Sequence, residues 1–490
     1  MKKPNIVYIC ADEMRADSLH HLGNPAAITP NLDRLAEEGV SFRHAYCQNP
    51  VCVPSRCCFL TGHYSHTMGH RTIHYQQNEF EPNILKTMKK QGYEVIWAGK
   101  NHVVPLADLS EYCDVRIKEP RKIAFLPDSP EARRRSDPDI STVDLTDPYY
   151  YSYYMGLNDD YPAQQRDEYA ITETIRYLRQ RQKSNPQKPF FLYLCLIFPH
   201  PPYGVSSQYY GKTDRSKLPP RIPNVDNFTG KPSMLYGIWE KENMQSWNEE
   251  QWSELRGTYL DMVNAVDDWV GQLKDVLVET GEDDNTNIFF FADHGDYTGD
   301  FGIVEKTQNT FDDPVCNVPL IFRPAKDIKV TPRISEALVE LTDLSATIIE
   351  LSGNQFDYTQ FGKSLTHLLD KEEEHREFVT CEGGRIHGET QAMENIHTIT
   401  FQGYPRLGTQ CEEGPQHTKA YMMRFRDFKY VKRLYEDDEL YDLINDPQET
   451  VNLIHEEKYR QLISDCERRL LYFLIETGDY VPNRLDRDYA

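Results

Sequence analysis

The sequence predicts an α/β fold in which a mixed, largely parallel central sheet is flanked by helices and followed by a smaller C-terminal α+β domain. Short apolar segments alternate with amphipathic helical segments along the first part of the chain, a pattern typical of parallel strands joined by helices. Two of the apolar segments, 6–10 and 287–291, are followed by acidic residues. After about residue 375, short strand-like segments and one final helix replace this alternation.

The elements of the larger domain are predicted from apolar spacing and from the residues that end helices. Residues 190–198 form a nearly continuous apolar run, as expected for a central strand that is covered on both faces. Residues 255–279 carry apolar side chains at helical spacing, and Gly39 ends a short helix near the start of the chain. The predicted elements are, in order, strand 6–10, helix 32–38, helix 84–91, strand 93–98, strand 190–198, helix 255–279 and strand 287–291.

Two long segments and the C-terminal part depart from this alternation. Residues 119–165 and 201–250 lack clean periodicity, and loops of such length are usually lids or binding walls. We predict two domains, a larger α/β domain over residues 1–375 and a smaller α+β domain over residues 376–490. The smaller domain is expected to contain an antiparallel sheet plus a helix, with strands at 378–381, 396–401, 419–424 and 429–434 and the helix at 457–477.

The composition argues against several classes of partner. The chain has 77 acidic and 54 basic residues, for a formal charge of -23, so we expect it to bind no nucleic acid. No segment approaches the roughly 20 apolar residues that span a bilayer, and the first residues do not resemble a signal peptide. We therefore expect a cytoplasmic protein that binds no membrane. The 11 scattered cysteines indicate reduced thiols rather than a disulfide framework.

The densest chemical pattern lies in residues 49–62. Cys52 is followed by Pro54, Ser55 and Arg56, and then by Leu-Thr-Gly at 60–62. This pattern resembles the signature of the formylglycine-dependent sulfatase family, Cys-x-Pro-Ser-Arg-x-x-x-Leu-Thr-Gly, at every fixed position. In that family a separate formylglycine-generating enzyme oxidises the cysteine, so the resemblance implies such an enzyme as a maturation partner. A buried thiol near a turn is the alternative interpretation of Cys52.

Other segments resemble the same family in the same order, from about residue 4 to residue 455. The acidic pair after the first strand departs from the family in one position, where Glu13 stands in place of the usual Asp. The resemblance implies an alkaline phosphatase-like fold and a sulfuric ester hydrolase. The residues that match the family outside the motif are Asp12, Lys100, His102, His200, Asp293, His294 and Lys306.

A divalent metal centre is implied by this resemblance. Carboxylate oxygens are hard ligands that suit Ca²⁺ or Mg²⁺, whereas a histidine ligand shifts the preference towards Mn²⁺. The family favours Ca²⁺, with Mg²⁺ and Mn²⁺ as alternatives. Arg56 is expected to orient the hydrated aldehyde of residue 52 near the metal. The implied ligands are Asp12, Glu13, residue 52 (Cys52 before modification), Asp293 and His294.

The resemblance also implies how sulfate is cleaved. A hydroxyl of the hydrated aldehyde attacks sulfur, while Lys100 and Lys306 neutralise charge on the sulfuryl oxygens. His200 is expected to act as the general acid for the leaving alcohol, with help from Lys306. His102 then takes the proton from the second hydroxyl, so that sulfate leaves and the aldehyde is restored.

Residues that contact the substrate are harder to identify. His70 and Arg71 closely follow the motif helix, and we predict that they contact the substrate. They lie in a segment that also has histidines at 63, 66 and 74, which we expect to be a loop at the rim of the site rather than a second metal centre. The tyrosines at 149–154 fit packing or an oligomer contact better than a sugar platform, and a homo-oligomer is compatible with the sequence.

We therefore predict a sulfuric ester hydrolase that acts on a small sulfated mono- or oligosaccharide, since polar and aromatic lids suit carbohydrates. A phosphonate monoester or phosphate diester hydrolase of the same superfamily is the nearest alternative, although Lys100 and His102 favour sulfate. An inactive carbohydrate-binding relative is the third hypothesis, and the complete set of catalytic residue types disfavours it. Specificity is expected to lie in residues 103–165, 201–250 and the C-terminal domain, which would complete the substrate pocket.

Overall fold

A mixed sheet of eight strands runs through the larger part of the molecule. The structure is a computed structural model that describes residues 3–104, 108–118, 152–184, 187–225, 228–386, 388–389, 409–410 and 414–481. The strands of these residues are β1 (Asn5–Asp12), β2 (Val40–Tyr46), β3 (Glu94–Gly99), β4 (Val115–Ile117), β5 (Tyr154–Leu157), β6 (Phe190–Pro199), β7 (Tyr203–Val205), β8 (Thr286–Ala292), β9 (Leu320–Arg323), β10 (Arg333–Glu340), β11 (Val379–Gly383), β12 (Ala420–Arg424), β13 (Phe428–Arg433) and β14 (Glu439–Asp442).

The large sheet has the strand order β10-β2-β9-β8-β1-β6-β3-β4. β1 lies near its centre, parallel to both β6 and β8, and every residue of β1 is buried. β9 runs antiparallel to its neighbours β2 and β8, whereas the other neighbouring strands of this sheet are parallel. The predicted mixed, largely parallel sheet is thus confirmed. Two short strands, β5 and β7, pair outside it.

Helices connect the strands and pack on the sheet. The longest helix begins six residues before the predicted start at 255, because Asn248 caps it and forms a reciprocal capping box with Gln251. The α-helices of the described residues are α1 (Pro30–Glu37), α2 (Cys52–Thr61), α3 (Ser65–Met68), α4 (Ile84–Lys90), α5 (Pro162–Ser184), α6 (Ser233–Glu242), α7 (Glu249–Glu279), α8 (Asp313–Cys316), α9 (Asp343–Leu351) and α10 (Arg460–Thr477).

Several elements of the larger domain were not predicted from the sequence, among them β2, β9, β10 and α5. α5 has many charged side chains and buries only a narrow set of residues, including Ile171 and Leu178, so its apolar spacing is weak. β10 is an edge strand, and only its second half is mostly buried. Most of the lid segment 119–165 and the predicted strand at 396–401 lie outside the described residues.

The C-terminal part contains a four-stranded antiparallel sheet in the order β11-β12-β13-β14, followed by α10. This arrangement confirms the predicted antiparallel sheet plus helix, while the boundary at residue 375 stays a prediction. The final helix begins at Arg460, after a short 3-10 turn over Glu457–Tyr459. Among the residues that the structure describes, none of the helices combines the length and the apolar character that a membrane crossing needs.

A buried lysine joins the C-terminal sheet to the larger domain. Lys429 in β13 has a completely buried side chain, and its Nζ donates to Asp313 Oδ1 at 2.7 Å and to Glu449 Oε1 at 2.5 Å. Asp313 belongs to α8, whereas Glu449 follows β14. Nζ also donates to the Phe311 carbonyl at 2.9 Å. The ammonium therefore compensates two carboxylates from different parts of the chain.

Replacing Lys429 by methionine is expected to lower the free energy of unfolding by about 3–5 kcal/mol, because the buried Glu449 and the partly exposed Asp313 lose their shared cation. Lys432→Met is the matched control in the same strand, since Lys432 is partly exposed and pairs with Asp438 and Glu467. Its loss should be about 1 kcal/mol or less. Denaturant unfolding followed by circular dichroism measures both variants. Equal losses would show that the Lys429 pairs do not hold the sheet in place.

Candidate active site

The motif segment forms α2, and Cys52 is its first residue. Val51 before it is extended, and Gly62 ends the helix with φ of 76°, a left-handed conformation that glycine adopts without a Cβ penalty. All residues of α2 are buried. The Ser55 hydroxyl donates to the backbone carbonyl of Asp293 at 2.5 Å. The serine of the motif thus ties this helix to the residue that follows β8.

Four predicted metal ligands meet at the carboxyl edge of the sheet. β1 ends at Asp12, β8 ends just before Asp293, and the two strands are neighbours. Carboxyl ends of parallel strands are where such sheets usually place their sites. The four residues are buried, and their ligand atoms all lie within 4.8 Å of one another: Asp12, Cys52, Asp293 and His294.

The ligand atoms of this group fit a divalent cation. Asp12 Oδ1 is buried and has no hydrogen-bond partner among the described residues, which is costly for a carboxylate oxygen unless a cation binds it. His294 Nδ1 donates to the Gly295 carbonyl at 2.9 Å. The lone pair is therefore on His294 Nε2, which lies 3.2 Å from Cys52 Sγ. Oxygen and imidazole donors suit Ca²⁺, Mg²⁺ or Mn²⁺.

Arg56 bridges the two carboxylates of the centre. Its Nε donates to Asp293 Oδ2 at 2.7 Å, and its Nη2 donates to Asp12 Oδ2 at 3.0 Å. The side chain is fully buried. Burial opposes its charge, but the negative charge of Asp293 and other neighbours raises the pKa of Arg56 well above its usual value. The structure thus gives Arg56 a charge-balancing position, whereas its orientation of a hydrated aldehyde stays a prediction.

Lys100 and His102 follow β3 and reach the same centre. Lys100 Nζ forms an ion pair with Asp12 Oδ2. His102 Nδ1 is buried and has no hydrogen-bond partner among the residues that the structure covers. Burial, followed by the positive charges of Lys100 and Arg56, keeps the pKa of His102 well below its usual value. His102 is therefore neutral, and its role as a proton acceptor stays a prediction.

Lys306 is the centre of a second buried charge cluster. Its Nζ lies 2.9 Å from Glu13 Oε2, 2.9 Å from Glu305 Oε1 and 3.0 Å from His200 Nε2. Burial opposes the charge of Lys306, but Glu13 and Glu305 raise its pKa well above the usual value, so the ammonium persists. Glu13 contacts Lys306 in this cluster and is near Asp12 and His200, so its role as a metal ligand stays a prediction.

His200 is neutral in this arrangement. Its Nδ1 donates to the Pro201 carbonyl at 2.6 Å, so its Nε2 accepts the hydrogen bond from Lys306. Burial and then the Lys306 cation lower the pKa of His200 to about 3. The shared proton of the pair therefore resides on Lys306. A general-acid role for His200 requires Lys306 as the source of its proton.

His70 and Arg71 already have partners within the protein. His70 Nε2 lies 2.7 Å from Glu81 Oε2, and Arg71 forms two hydrogen bonds with Glu389. Their contact with substrate stays a prediction. The neighbouring His66 bonds Glu382 of β11, so this segment packs against the C-terminal part. It contains the short helix α3 as well as loop residues.

Sequence reasoning missed Glu305 as a member of the site. It is buried, adopts φ of 60° and contacts Lys306 directly. The signal was present in the acidic residue next to a predicted catalytic lysine, but a charged neighbour in sequence does not reveal which way a side chain points. Cys195 was also missed; it lies beside the Arg56 guanidinium.

The fold and the site together define a class of protein. The protein has a mixed α/β sheet, a centre of carboxylate, thiol and imidazole groups at the carboxyl edge of that sheet, and two lysines around the centre. These features are typical of an alkaline phosphatase-like hydrolase. The family model described as "Sulfatase" matches residues 4–354. The chain therefore belongs to the sulfatase family, and the predicted enzyme class, a sulfuric ester hydrolase, is confirmed at the level of the family.

Individual relatives are distant but extend along nearly the whole chain. An arylsulfatase of Clostridium perfringens is 25% identical, with 96% of this chain and 94% of the relative covered. An N-acetylglucosamine-6-O-sulfatase of Bacteroides thetaiotaomicron is 24% identical, with 97% and 86% covered. The crystal structure of a phosphonate monoester hydrolase of Agrobacterium radiobacter has a TM-score of 0.74 at 22% identity, with 97% and 96% covered, and supports the fold.

Proposed function

We propose that this protein hydrolyses sulfate esters with a formylglycine made from Cys52 and one divalent metal, most suitably Ca²⁺. The observation that carries the proposal is the buried group of Asp12, Cys52, Asp293 and His294, in which a carboxylate oxygen has no hydrogen-bond partner among the described residues. The family provides the reaction class. Modification at residue 52 would be the work of a formylglycine-generating enzyme.

The divalent metal ion and formylglycine would each contribute one kind of chemistry. A divalent ion held by Asp12, Asp293 and His294 would supply positive charge that stabilises the sulfuryl oxygens. Formylglycine, as its hydrate, would supply a hydroxyl nucleophile that a thiol side chain does not have. Both groups would lie where α2 begins, next to the ends of β1 and β8.

The surrounding residues would position the ester and move protons. Lys100 and Lys306 carry positive charge beside the centre, where negative charge on a sulfuryl group would be stabilised in a site shielded from water. The Lys306 ammonium donates a hydrogen bond to His200 Nε2, and this pair is the proposed source of the proton for a departing alcohol oxygen. Neutral His102 is the candidate acceptor for a proton released at residue 52.

A small sulfated sugar is the proposed substrate. The N-acetylglucosamine-6-O-sulfatase among the relatives supports this class. Hydrolysis of a phosphonate monoester is the second candidate, because the phosphonate monoester hydrolase has the same fold along almost the whole chain. Lys100 and His102 favour sulfate over phosphonate.

A direct comparison of substrates tests the proposal. Formylglycine-containing enzyme, loaded with Ca²⁺, is assayed on an aryl sulfate and on the matching aryl phosphonate monoester, and then on sulfated mono- and disaccharides with sulfate release as the readout. We expect kcat/KM to be higher for the aryl sulfate. Faster turnover of the phosphonate would favour the second candidate, and no turnover of either would contradict both.

Replacing Lys100 by alanine is expected to lower kcat for the aryl sulfate by about 10²–10³-fold, because a cation beside the sulfuryl oxygens is lost. Lys326→Ala is the control, since Lys326 is mostly exposed and forms a surface ion pair with Asp284. The Lys326 variant should hydrolyse the aryl sulfate at the wild-type rate. An unchanged rate in the Lys100 variant would exclude its predicted role.

A further inference from the structure

Three cysteines from separate parts of the chain meet in the core. Cys47 follows β2, Cys316 ends α8 and Cys381 lies in β11 of the C-terminal sheet. Their sulfur atoms all lie within 4.8 Å of one another, and Cys316 Sγ is 3.6 Å from Cys381 Sγ. All three side chains are buried. The cluster therefore links two segments of the larger domain to the C-terminal sheet.

The cluster is chemically different from the centre that contains Cys52. Its members are sulfur donors alone, with no carboxylate or imidazole in the group among the described residues. Sulfur ligands select soft metal ions, whereas oxygen ligands select Ca²⁺ or Mg²⁺. The two groups would therefore take different ions and need not compete for one.

Hydrogen bonds tie the segments of the cluster together and favour the thiolate form at one of its three sulfur atoms, Cys47. The Asn49 N–H donates to the Cys47 sulfur, and the Cys47 N–H donates to the Cys316 carbonyl at 3.0 Å, which fixes the two segments relative to each other. Burial opposes the charge of Cys47, but hydrogen bonds from Cys316 and Cys381 lower its pKa to about 6. Burial raises the pKa of Cys316 and of Cys381 well above the usual value. A bound metal ion would supply the positive charge that deprotonates the other two thiols in this buried region.

We propose that Cys47, Cys316 and Cys381 form a binding site for a soft metal ion, and that Cu⁺ fits it best. Zn²⁺ in structural sites is almost always bound by four ligands, whereas the described residues offer three sulfur atoms here. Binding forms metal–sulfur bonds and releases the thiol protons to solvent, and neither copper nor sulfur changes oxidation state. Because the ligands come from three segments that meet only in the fold, the ion would stabilise the joint between the two sheets.

The test uses the full-length chain, kept reduced and without oxygen, in excess Ca²⁺. It is titrated with Cu⁺, and separately with Zn²⁺, against a chromophoric chelator. We expect one equivalent of Cu⁺ to bind and to raise the melting temperature. Cys47→Ser, Cys316→Ser and Cys381→Ser should each weaken binding at least about 100-fold, since each removes a direct ligand and outer-shell changes alone cost 10–100-fold. The control is Cys466→Ser, another buried cysteine, outside the cluster.

X-ray absorption at the copper edge gives a readout that does not depend on how well the variants fold. We expect a first coordination shell made of sulfur alone. Binding that survives all three cluster substitutions, a shell with oxygen or nitrogen ligands, or preference for Zn²⁺ would overturn the assignment. A disulfide between Cys316 and Cys381 in the anaerobic chain, detected by mass spectrometry after alkylation, would also overturn it. None of these results depends on sulfatase activity, so the proposed function is tested separately.

Discussion

Replacing Cys52 by alanine is expected to abolish hydrolysis of sulfate esters, with a loss of at least about 10⁴-fold in kcat. Alanine removes the side chain from which the nucleophile would be made, and removal of a nucleophile is among the most damaging changes in enzymes. Turnover of an aryl sulfate measures the loss. In the wild-type protein, peptide mass spectrometry should show formylglycine at position 52. Fully active protein with an intact cysteine there would contradict the proposed chemistry.

A second cysteine in the same helix provides the matched control. Cys58 is buried in α2, as Cys52 is, but its sulfur contacts the Ser65 hydroxyl rather than the carboxylate centre. Cys58→Ala should retain formylglycine at position 52 and most of the activity. A loss in both variants would mean that damage to the helix, and not the chemistry of residue 52, explains the result.

Replacing Asp12 by asparagine is expected to lower kcat/KM by at least about 10³-fold and to weaken binding of the divalent ion. Asp12 Oδ2 accepts hydrogen bonds from Arg56 and Lys100, while Oδ1 has no hydrogen-bond partner among the described residues. The amide keeps the shape and loses the charge on which the cation and both basic groups depend. Calorimetric titration with Ca²⁺ and aryl sulfate kinetics measure the two effects.

Asp17→Asn is the control for that substitution. Asp17 is close in sequence and pairs with Arg15, but its side chain is 67% exposed. We expect unchanged metal affinity and nearly unchanged kinetics. If Asp12→Asn bound Ca²⁺ as tightly as this control does, the carboxylate group at the end of β1 would not be the metal centre.

Residues whose position follows from strand order could be predicted well. Asp12 and Asp293 each follow a buried apolar strand, so their meeting at one sheet edge is a consequence of parallel pairing. The motif around Cys52 then predicted which residue would become the nucleophile. The alternation of apolar and helical segments predicted the α/β domain, and the short strand-like segments after residue 375 predicted the C-terminal α+β domain. The alternation did not reveal α5, whose charged sequence leaves only a weak apolar stripe.

Contacts between side chains that are distant in sequence could not be predicted. Glu13 is the clearest case: its role as a metal ligand, implied by the family resemblance, stays a prediction, and its hydrogen bonds from the backbone N–H and the Nζ of Lys306 were not predicted. Its φ of 65° is uncommon for a residue other than glycine, and no sequence pattern indicated it. His66 likewise contacts Glu382, more than 300 residues away in the chain.

The burial of the motif helix has a consequence for how the enzyme would be made. Cys52 is 1% exposed, and every residue of α2 is buried with it. A second enzyme cannot reach the Cys52 sulfur in the folded chain, so conversion to formylglycine would have to occur while this segment is still unfolded. The rate of modification would then compete with the rate of folding during synthesis. Chains that fold first would be stable, correctly shaped and permanently inactive, and the specific activity of a preparation would record the outcome of that competition.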